Sequence, residues 1–326
     1  MLMSERCLVT GVAGFIGSHL AERLLQESYE VIGVDCLSDY YPREVKEANL
    51  LALRGQVHFQ SAEINLCSAD LRPLLDGVDF VFHQAAQPGV RASWGESFRI
   101  YLEDNVLATQ RLLEACKGSG VRRFVYASSS SIYGDTTDLP IEESSPARPI
   151  SPYGVTKLAG EHLCYLYRAN FGLPTVALRY FTVYGPRQRP DMAFHRFIAA
   201  IHRGQAITIY GDGEQTRDFT FVADAVEANI RVLGMKTPQD WHVWNIGGGS
   251  RASVNEVIKL LEQIMGREAI LNYTSPQHGD VRHTWADTSA ARRDLGFVAS
   301  TTLEEGLREQ VAWQMNKERD SWQHRS

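Results

Sequence analysis

Residues 6–20 read Arg6-Cys7-Leu8-Val9-Thr10-Gly11-Val12-Ala13-Gly14-Phe15-Ile16-Gly17-Ser18-His19-Leu20. The beginning of this segment is typical of a short buried strand, and the apolar residues that follow recur at helical spacing. Gly11, Gly14 and Gly17 therefore lie between a strand and a helix, where glycines allow a tight turn and let the backbone approach a pyrophosphate. No lysine follows the third glycine, so the segment is not the phosphate loop of a nucleoside triphosphatase. It predicts the first βα unit of a dinucleotide-binding domain.

Strands and helices alternate from this unit to residue 181. The further predicted strands are Glu30–Asp35, Val57–Ile64, Asp79–Ala86, Arg123–Ser128 and Pro174–Phe181. Helices are predicted within Asp39–Gly55, over Ser97–Lys117, and after Ser151, which is a good N-cap followed by a proline at the first helical position. This alternation implies right-handed crossovers, and therefore an α/β fold with a doubly wound parallel sheet of the Rossmann type.

The pattern changes after Phe181. A helix is predicted at Ala193–Arg203 and a short strand at Ile207–Tyr210, and Ser253 opens a capping box at the start of a later helix. Val243–Ile246 resembles another strand of the large sheet. We therefore expect a cofactor-binding domain over 1–181, with a returning segment near 220–250, and a smaller, partly discontinuous α/β domain over 182–326.

Composition excludes several classes of function. The net charge of −6 over 326 residues gives no basic surface for nucleic acid, and the apolar runs are too short to cross a membrane. The five cysteines are scattered, lack metal-ligand spacing and follow no secretory signal. We therefore expect reduced thiols, a cytoplasmic location and no metal site.

Tyr153 and Lys157 are four residues apart, so they share one face of the helix that follows Ser151. A free tyrosine has a pKa of about 10, and a nearby cation favours the phenolate. An ionised tyrosine could take the proton of a secondary alcohol at neutral pH. Alone, this spacing is more often an aromatic side chain beside a solvated charge, so its meaning depends on the rest of the chain.

Asp35 ends the second predicted strand, where a carboxylate accepts hydrogen bonds from the hydroxyls of an adenosine ribose. It would repel a 2′-phosphate, and Cys36 rather than an arginine follows it. This favours NAD over NADP.

Several motifs together resemble the extended short-chain dehydrogenase/reductases, and more narrowly their nucleotide-sugar 4-epimerases. They are Gly-x-x-Gly-x-x-Gly, the serine-rich strand end before Ile132-Tyr133-Gly134, Tyr153-x-x-x-Lys157, Leu178-Arg179-Tyr180-Phe181, Thr216-Arg217-Asp218-Phe219 and Trp285-Ala286-Asp287. The resemblance implies that NAD takes hydride from C4 of a UDP-sugar and returns it to the other face of a 4-keto intermediate. Tyr153 resembles the base, Lys157 the residue that holds the nicotinamide ribose and depresses the tyrosine pKa, and Ser129 the partner of the same sugar hydroxyl.

The resemblance also implies the binding residues. Glu63 stands where the family usually has an aspartate near adenine, and Asn105 either fixes a neighbouring loop or contacts the ligand. The cofactor-binding set is Gly11, Gly14, Phe15, Ile16, Gly17, Asp35, Glu63, Ile64, Ala85, Ala86, Gln87, Asn105, Tyr153 and Lys157. The substrate-binding set is Pro88, Arg91, Ser129, Ser130, Ser131, Thr182, Arg189, Met192, Arg217 and Arg282.

The choice of sugar depends on few residues. Thr182 replaces the asparagine of galactose-type enzymes, and the chain around it resembles the UDP-glucuronate 4-epimerases, in which a threonine and an arginine bind the sugar carboxylate. Arg189 is the predicted arginine and Arg187 its competitor. The related 4,6-dehydratases have an acidic pair after the catalytic threonine, whereas Ser130 and Ser131 stand there, which argues against dehydration.

Other functions remain open at this stage. Within the enzyme class they are a UDP-glucose or UDP-N-acetylhexosamine 4-epimerase and a UDP-glucuronate decarboxylase, because oxidation at C4 of a uronate gives a β-keto acid that loses carbon dioxide easily. Outside that class, the same scaffold could serve an NAD-sensing binding protein. The resemblance further implies a homodimer through helices at Ser97–Lys117 and Tyr153–Asn170.

Overall fold

The computed structural model describes residues 4–235 and 241–323. Its strands are β1 Arg6–Thr10, β2 Glu30–Asp35, β3 Phe59–Glu63, β4 Phe80–His83, β5 Arg123–Ser129, β6 Thr175–Tyr180, β7 Thr182–Tyr184, β8 Ala206–Tyr210, β9 Thr216–Phe221, β10 His242–Ile246, β11 Ser250–Ser253 and β12 Ile270–Thr274. Its α-helices are α1 Phe15–Gln26, α2 Arg43–Arg54, α3 Phe98–Tyr101, α4 Ala108–Cys116, α5 Pro152–Phe171, α6 Ala193–Arg203, α7 Val222–Gly234, α8 Val254–Met265, α9 Ser289–Leu295 and α10 Leu303–Gln323.

A parallel sheet of seven strands lies at the centre, in the order β10-β6-β5-β4-β1-β2-β3. The chain adds strands on one side of β1 through β2 and β3, and on the other side from β4 onward. The direction of winding therefore reverses beside β1. In an open α/β sheet this is where a crevice for a ligand opens, beyond the carboxyl ends of the strands. The predicted doubly wound α/β fold is confirmed.

The segments after residue 181 form two smaller sheets. One has the order β11-β9-β7, and the other pairs β12 with β8. The segment predicted to return to the large sheet does so through β10, which pairs with β6 in parallel register, although residues 236–240 of that segment lie outside the described residues. A single hydrophobic cluster extends from Val9 through Phe82 and Phe221 to Phe297. Both parts of the chain therefore contribute to one core, and a division at residue 181 stays a prediction.

Several predicted elements differ from the observed ones by a few residues at their ends, and two differences affect the walls of the site. The fourth strand stops at His83 rather than Ala86, because the chain then leaves the sheet to form the wall of a cleft. The predicted helix Ser97–Lys117 contains a π-helical turn over Leu102–Leu107, between α3 and α4. Across the described parts of the chain, no helix is both long and apolar enough to cross a bilayer.

Candidate active site

A cleft opens at the carboxyl ends of the central strands, with an empty volume of about 1180 Å³ that includes the solvent at its mouth. Most of the predicted cofactor-binding residues line it, namely Gly11, Gly14, Phe15, Ile16, Gly17, Asp35, Ile64, Ala85, Ala86, Gln87, Tyr153 and Lys157. Pro88 and Arg189 of the predicted substrate-binding set line it too. The structure therefore brings the glycine turn and the tyrosine–lysine pair into one cavity, although they are far apart in the sequence.

The glycine turn is shaped for a close approach between backbone segments. Gly11 has a φ of 70°, and a Cβ there would lie 2.8 Å from the amide nitrogen of Ala85. A Cβ on Gly17 would lie 2.2 Å from the carbonyl oxygen of Gly11. No side chain fits at either position. The turn leads directly into α1, whose unpaired N-terminal amides suit the pyrophosphate of a dinucleotide.

Asp35 stands at the end of β2 with its carboxylate facing the same cleft. Its Oδ1 accepts from the amide of Leu37 at 2.8 Å, and its Oδ2 accepts from the amide of Ala13 at 3.1 Å. Burial raises the pKa of this carboxyl, while the two amides and Lys46 oppose that effect. Each oxygen can accept a further bond, so the carboxylate remains available to ribose hydroxyls.

Glu63 and Asn105 lie outside the lining of the cleft. The carboxylate of Glu63 is exposed and binds Arg43 at 2.9 and 2.6 Å, and this ion pair lowers the pKa of Glu63. Asn105 is buried in the π-helical turn, where it accepts from the amide of Gln87 at 2.7 Å and donates to the carbonyl of Gln87 at 3.0 Å. Of the two roles open to Asn105, these contacts match the fixing of a loop.

The three predicted catalytic residues are brought together by β5 and α5. Ser151 caps α5 by accepting from the amide of Gly154 at 3.1 Å, which places Tyr153 in the first turn. Ser129 ends β5, its hydroxyl lies 3.1 Å from that of Ser131, and it is near enough to Tyr153 to lower the pKa of that phenol. The ammonium of Lys157 donates to the carbonyl of Ala127 at 2.8 Å.

The electrostatics of this group differ from the expectation. Burial raises the pKa of Tyr153, and the groups that oppose this rise are Ser129 and Arg189. Burial also lowers the pKa of Lys157 to about 8. Lys157 is not among the groups that lower the pKa of Tyr153, since its ammonium is directed to a backbone carbonyl, so its effect on the tyrosine stays a prediction.

The two competing arginines have different surroundings. Arg189 lines the cleft and binds Asp191, with both N–O distances at 3.0 Å. Arg187 instead faces α1, where it binds Glu22 at 2.7 Å and the hydroxyl of Ser18 at 3.3 Å. Only Arg189 of this pair is placed to meet a ligand in the cleft.

The remaining predicted substrate residues are not among those that line the cleft. Thr182 begins β7, Met192 is the N-cap of α6, and Ser130 opens the 3₁₀ turn after β5.

Three arginines lie near one another beyond the cleft lining. Arg91 binds Asp280 at 2.6 Å, and Arg282 binds Asp212 at 2.7 Å. Burial lowers the pKa of Arg217, and the charges of Arg91 and Arg282 lower it further. Because these guanidinium groups are positively charged and repel one another, an anion such as a diphosphate would stabilise the cluster.

Sequence reasoning missed several side chains of the cleft. Tyr40, Tyr41, Lys46 and Tyr180 line it. Tyr101 lies with its ring centroid 6.3 Å from that of Tyr153, and its hydroxyl oxygen lies 2.8 Å from the carbonyl oxygens of Pro88 and of Gly89, so its one O–H can donate to either. The adjacent tyrosines at 40 and 41, in the loop after the strand that carries Asp35, are the available signal. No cluster of His, Cys, Asp or Glu among the described residues could hold a metal ion.

The chain matches known proteins over most of its length. Residues 7–247 match the model of the NAD dependent epimerase/dehydratase family. The chain is 48% identical over 309 residues to the "Uncharacterized UDP-glucose epimerase YtcB" of Bacillus subtilis, covering 94% of this chain and 97% of that protein. It is 40% identical over 310 residues to the UDP-glucuronate 4-epimerase of Thermodesulfobacterium geofontis, covering 94% of this chain and 95% of that protein.

A solved structure agrees in fold as well as in sequence. The crystal structure of UDP-glucuronic acid 4-epimerase from Bacillus cereus, in complex with UDP-glucuronic acid and NAD, superposes with a TM-score of 0.93 at 43% identity. The match covers 96% of this chain and 99% of that one.

Proposed function

Because the chain belongs to the NAD-dependent epimerase/dehydratase family, we propose that it is an NAD-dependent isomerase that interconverts UDP-glucuronate and UDP-galacturonate. The observation that supports this substrate most directly is the position of Arg189. It lies in the same cleft as Tyr153, where its guanidinium can reach a sugar carboxylate near the reacting carbon.

The residues of the cleft fit NAD. The missing Cβ atoms at Gly11 and Gly17 let the glycine turn fold tightly against the backbone at the start of α1, where a pyrophosphate would bind, and Asp35 offers its carboxylate to the adenosine ribose. Lys157 would hold the nicotinamide ribose. When bound, NAD supplies a hydride acceptor for C4 of the sugar and a donor for the return step.

The chain's own residues move the proton. In its phenolate form, which Ser129 and the charge of Arg189 stabilise, Tyr153 takes this proton from the 4-hydroxyl through its phenol oxygen. On the return of hydride to the opposite face, Tyr153 gives the proton back. An anionic sugar held by Arg189 and Thr182 keeps its carboxylate fixed while the carbon at position 4 is a ketone. Because Ser130 and Ser131 provide no acid or base, the proton at C5 stays in place.

A second candidate is epimerisation of the neutral sugar UDP-glucose, since the relative from Bacillus subtilis with 48% identity carries that name. A neutral hexose has no carboxylate for Arg189. The two candidates therefore differ in what the loss of this arginine does.

The test is incubation with NAD and either UDP-glucuronate or UDP-glucose, with the products separated by chromatography. We expect UDP-galacturonate from the first sugar. Arg189→Ala should lower kcat/KM for UDP-glucuronate by about 10- to 100-fold, as the loss of charge-assisted hydrogen bonds does, and leave UDP-glucose turnover little changed. Arg187→Ala is the matched control and should keep the preference for the uronate.

Other products would point elsewhere. A UDP-pentose with carbon dioxide would identify a decarboxylase, and equal losses of both activities in Arg189→Ala would refute the role of this arginine. If neither sugar is converted while NAD remains bound, the protein is better described as an NAD-binding protein than as an enzyme.

We also propose a cytoplasmic homodimer. The helices α3, α4 and α5 pack side by side, and they and their flanks expose large apolar side chains, namely Trp94, Ile100, Leu102, Leu107, Ile150, Val155, Tyr165, Leu166 and Phe171. A face of this kind suits a second copy of the chain. The five cysteines are all free, as expected of a reducing compartment.

A further inference from the structure

The guanidinium of Arg189 is held along one edge by a neighbouring carboxylate. Its Nε lies 3.0 Å from Oδ1 of Asp191, and its Nη2 lies 3.0 Å from Oδ2. These bonds leave Nη1 and the second proton of Nη2 for another acceptor, because a guanidinium presents donors on more than one edge. Asp191 therefore fixes the plane of the group without using all of its donors.

Tyr40 connects this ion pair to the opposite wall of the cleft. Its hydroxyl donates to Oδ2 of Asp191 at 3.3 Å, and its ring centroid lies 6.0 Å from Cζ of Arg189. The same hydroxyl packs against Gly89, where a Cβ would approach it to 2.9 Å. Tyr40 belongs to the loop between β2 and α2, so the contact joins the cofactor-binding part of the chain to the loop that follows β7.

The loop that carries Tyr40 is itself anchored. The ammonium of Lys46 is buried and donates to the carbonyl of Ser38 at 2.6 Å and to its hydroxyl at 3.0 Å. Asp35 accepts from the amide of Leu37 at 2.8 Å. A fixed loop lets a single phenol hydroxyl set the position of Asp191, and through it the position of Arg189.

We propose that Tyr40 and Asp191 are positioning residues that orient Arg189 toward an anionic sugar and so set a preference for a uronate over a neutral hexose. The proposal rests on the proposed function, because it assigns the free donors of Arg189 to the sugar carboxylate. Neither residue touches the reacting atoms. Their effect is on selectivity, and it is transmitted through the guanidinium.

The test measures binding separately from turnover. In a Tyr153→Phe background, which keeps each sugar unconverted, the Kd of UDP-glucuronate and of UDP-glucose is measured by calorimetry with NAD bound. Tyr40→Phe and Asp191→Asn should each raise the Kd of UDP-glucuronate about three- to tenfold, which is the effect of losing one net hydrogen bond. The Kd of UDP-glucose should change by less than about twofold. With Tyr153 intact, the same variants should release more carbon dioxide per epimerisation, because a loosely held carboxylate can align with the ketone.

The matched control removes a hydroxyl of the same kind elsewhere. The hydroxyl of Tyr167 donates to Glu114 at 2.7 Å, outside the cleft, so Tyr167→Phe should leave both Kd values unchanged.

Three results would overturn the proposal. The first is an equal increase of both Kd values in Tyr40→Phe. The second is tighter binding of UDP-glucuronate by Asp191→Asn, which would make Asp191 a competitor of the substrate. The third is equal affinity of the protein without these substitutions for the two sugars. Failure of the proposed function is seen separately, as absence of UDP-galacturonate from the wild-type protein whatever the binding data show.

Discussion

Lys157 is buried, and its ammonium donates to the carbonyl of Ala127 at 2.8 Å. At the scale of single residues, Lys157 shows which properties of a site can be predicted from residue spacing and which cannot. The four-residue spacing predicts that Tyr153 and Lys157 share a helix face. The spacing does not predict how deeply the fold buries the two side chains. This burial raises the pKa of Tyr153 and lowers the pKa of Lys157.

The buried ammonium makes stability depend on pH. The pKa of Lys157 is about 8 in the folded chain, below its ordinary value of 10.5, so the unfolded chain binds more protons between these values. The free energy of unfolding should therefore rise with pH across this window, by about 2 to 3 kcal/mol between about pH 7 and about pH 10. Lys157→Met has no such proton, so the difference between the two proteins isolates the effect from other titrating groups.

Urea unfolding of both proteins over this range provides the measurement. The wild-type protein should gain stability relative to Lys157→Met as the pH rises. Parallel curves for the two proteins would contradict the prediction.

At the scale of elements, the contact between α5 and β5 decides how closely Tyr153 approaches Ser129. Gly160 lies in α5 against Tyr126 of β5, and a Cβ there would lie 2.1 Å from the phenol oxygen and 2.4 Å from Cζ. Tyr126 is 1% exposed, so it cannot turn out into solvent without displacing its neighbours. The missing side chain thus allows the helix to pack close to the strand.

Gly160→Ala should therefore destabilise the protein, although alanine usually stabilises a helix relative to glycine. Within a helix, alanine is favoured over glycine by about 1 kcal/mol, yet here overpacking should lower the free energy of unfolding by about 2 kcal/mol. The displaced helix should also lower kcat, because Tyr153 and Ser129 separate. Thermal unfolding and steady-state kinetics measure the two effects.

Two further variants make this result specific. Tyr126→Leu together with Gly160→Ala should recover part of both losses, since the added methyl then has room. Gly234→Ala is the matched control, because no described atom lies within 4 Å of the added Cβ, and it should not destabilise the protein. Destabilisation by Gly234→Ala equal to that by Gly160→Ala would show that packing against Tyr126 is not the cause.

The sequence predicts the positions of helices and strands better than it predicts the contacts between them. Hydrophobic periodicity and caps are local, and they located β2, α6 and the capped start of α5 at their observed positions. The role of Tyr40 was not predicted, since its partner Asp191 is 151 positions away and no local pattern links them. The π-helical turn was missed for a similar reason, because Asn105 there bonds to Gln87 in another segment.

At the scale of the whole molecule, the apolar face of α3, α4 and α5 is the feature that predicts assembly. Leu102 and Leu166 are each 44% exposed on this face. Leu102→Glu with Leu166→Glu should convert a dimer into a monomer, because a stable interface cannot bury unpaired carboxylates. Sedimentation equilibrium measures the change.

The control places the same charge on a different surface. Leu51 is 70% exposed on α2, so Leu51→Glu should leave the assembly unchanged. A wild-type protein that sediments as a monomer would contradict the proposed homodimer.

The position of β10 has a consequence for synthesis on the ribosome. β10 covers the outer edge of β6, yet the chain makes β7, β8 and β9 before reaching it. While residues 182–241 are emerging from the ribosome, the nascent sheet carries an unpaired edge of buried apolar strand, which is a template for pairing with other chains. A translational pause while this interval emerges would therefore lengthen the period in which the nascent protein can aggregate, whereas a pause after residue 246 has emerged would not.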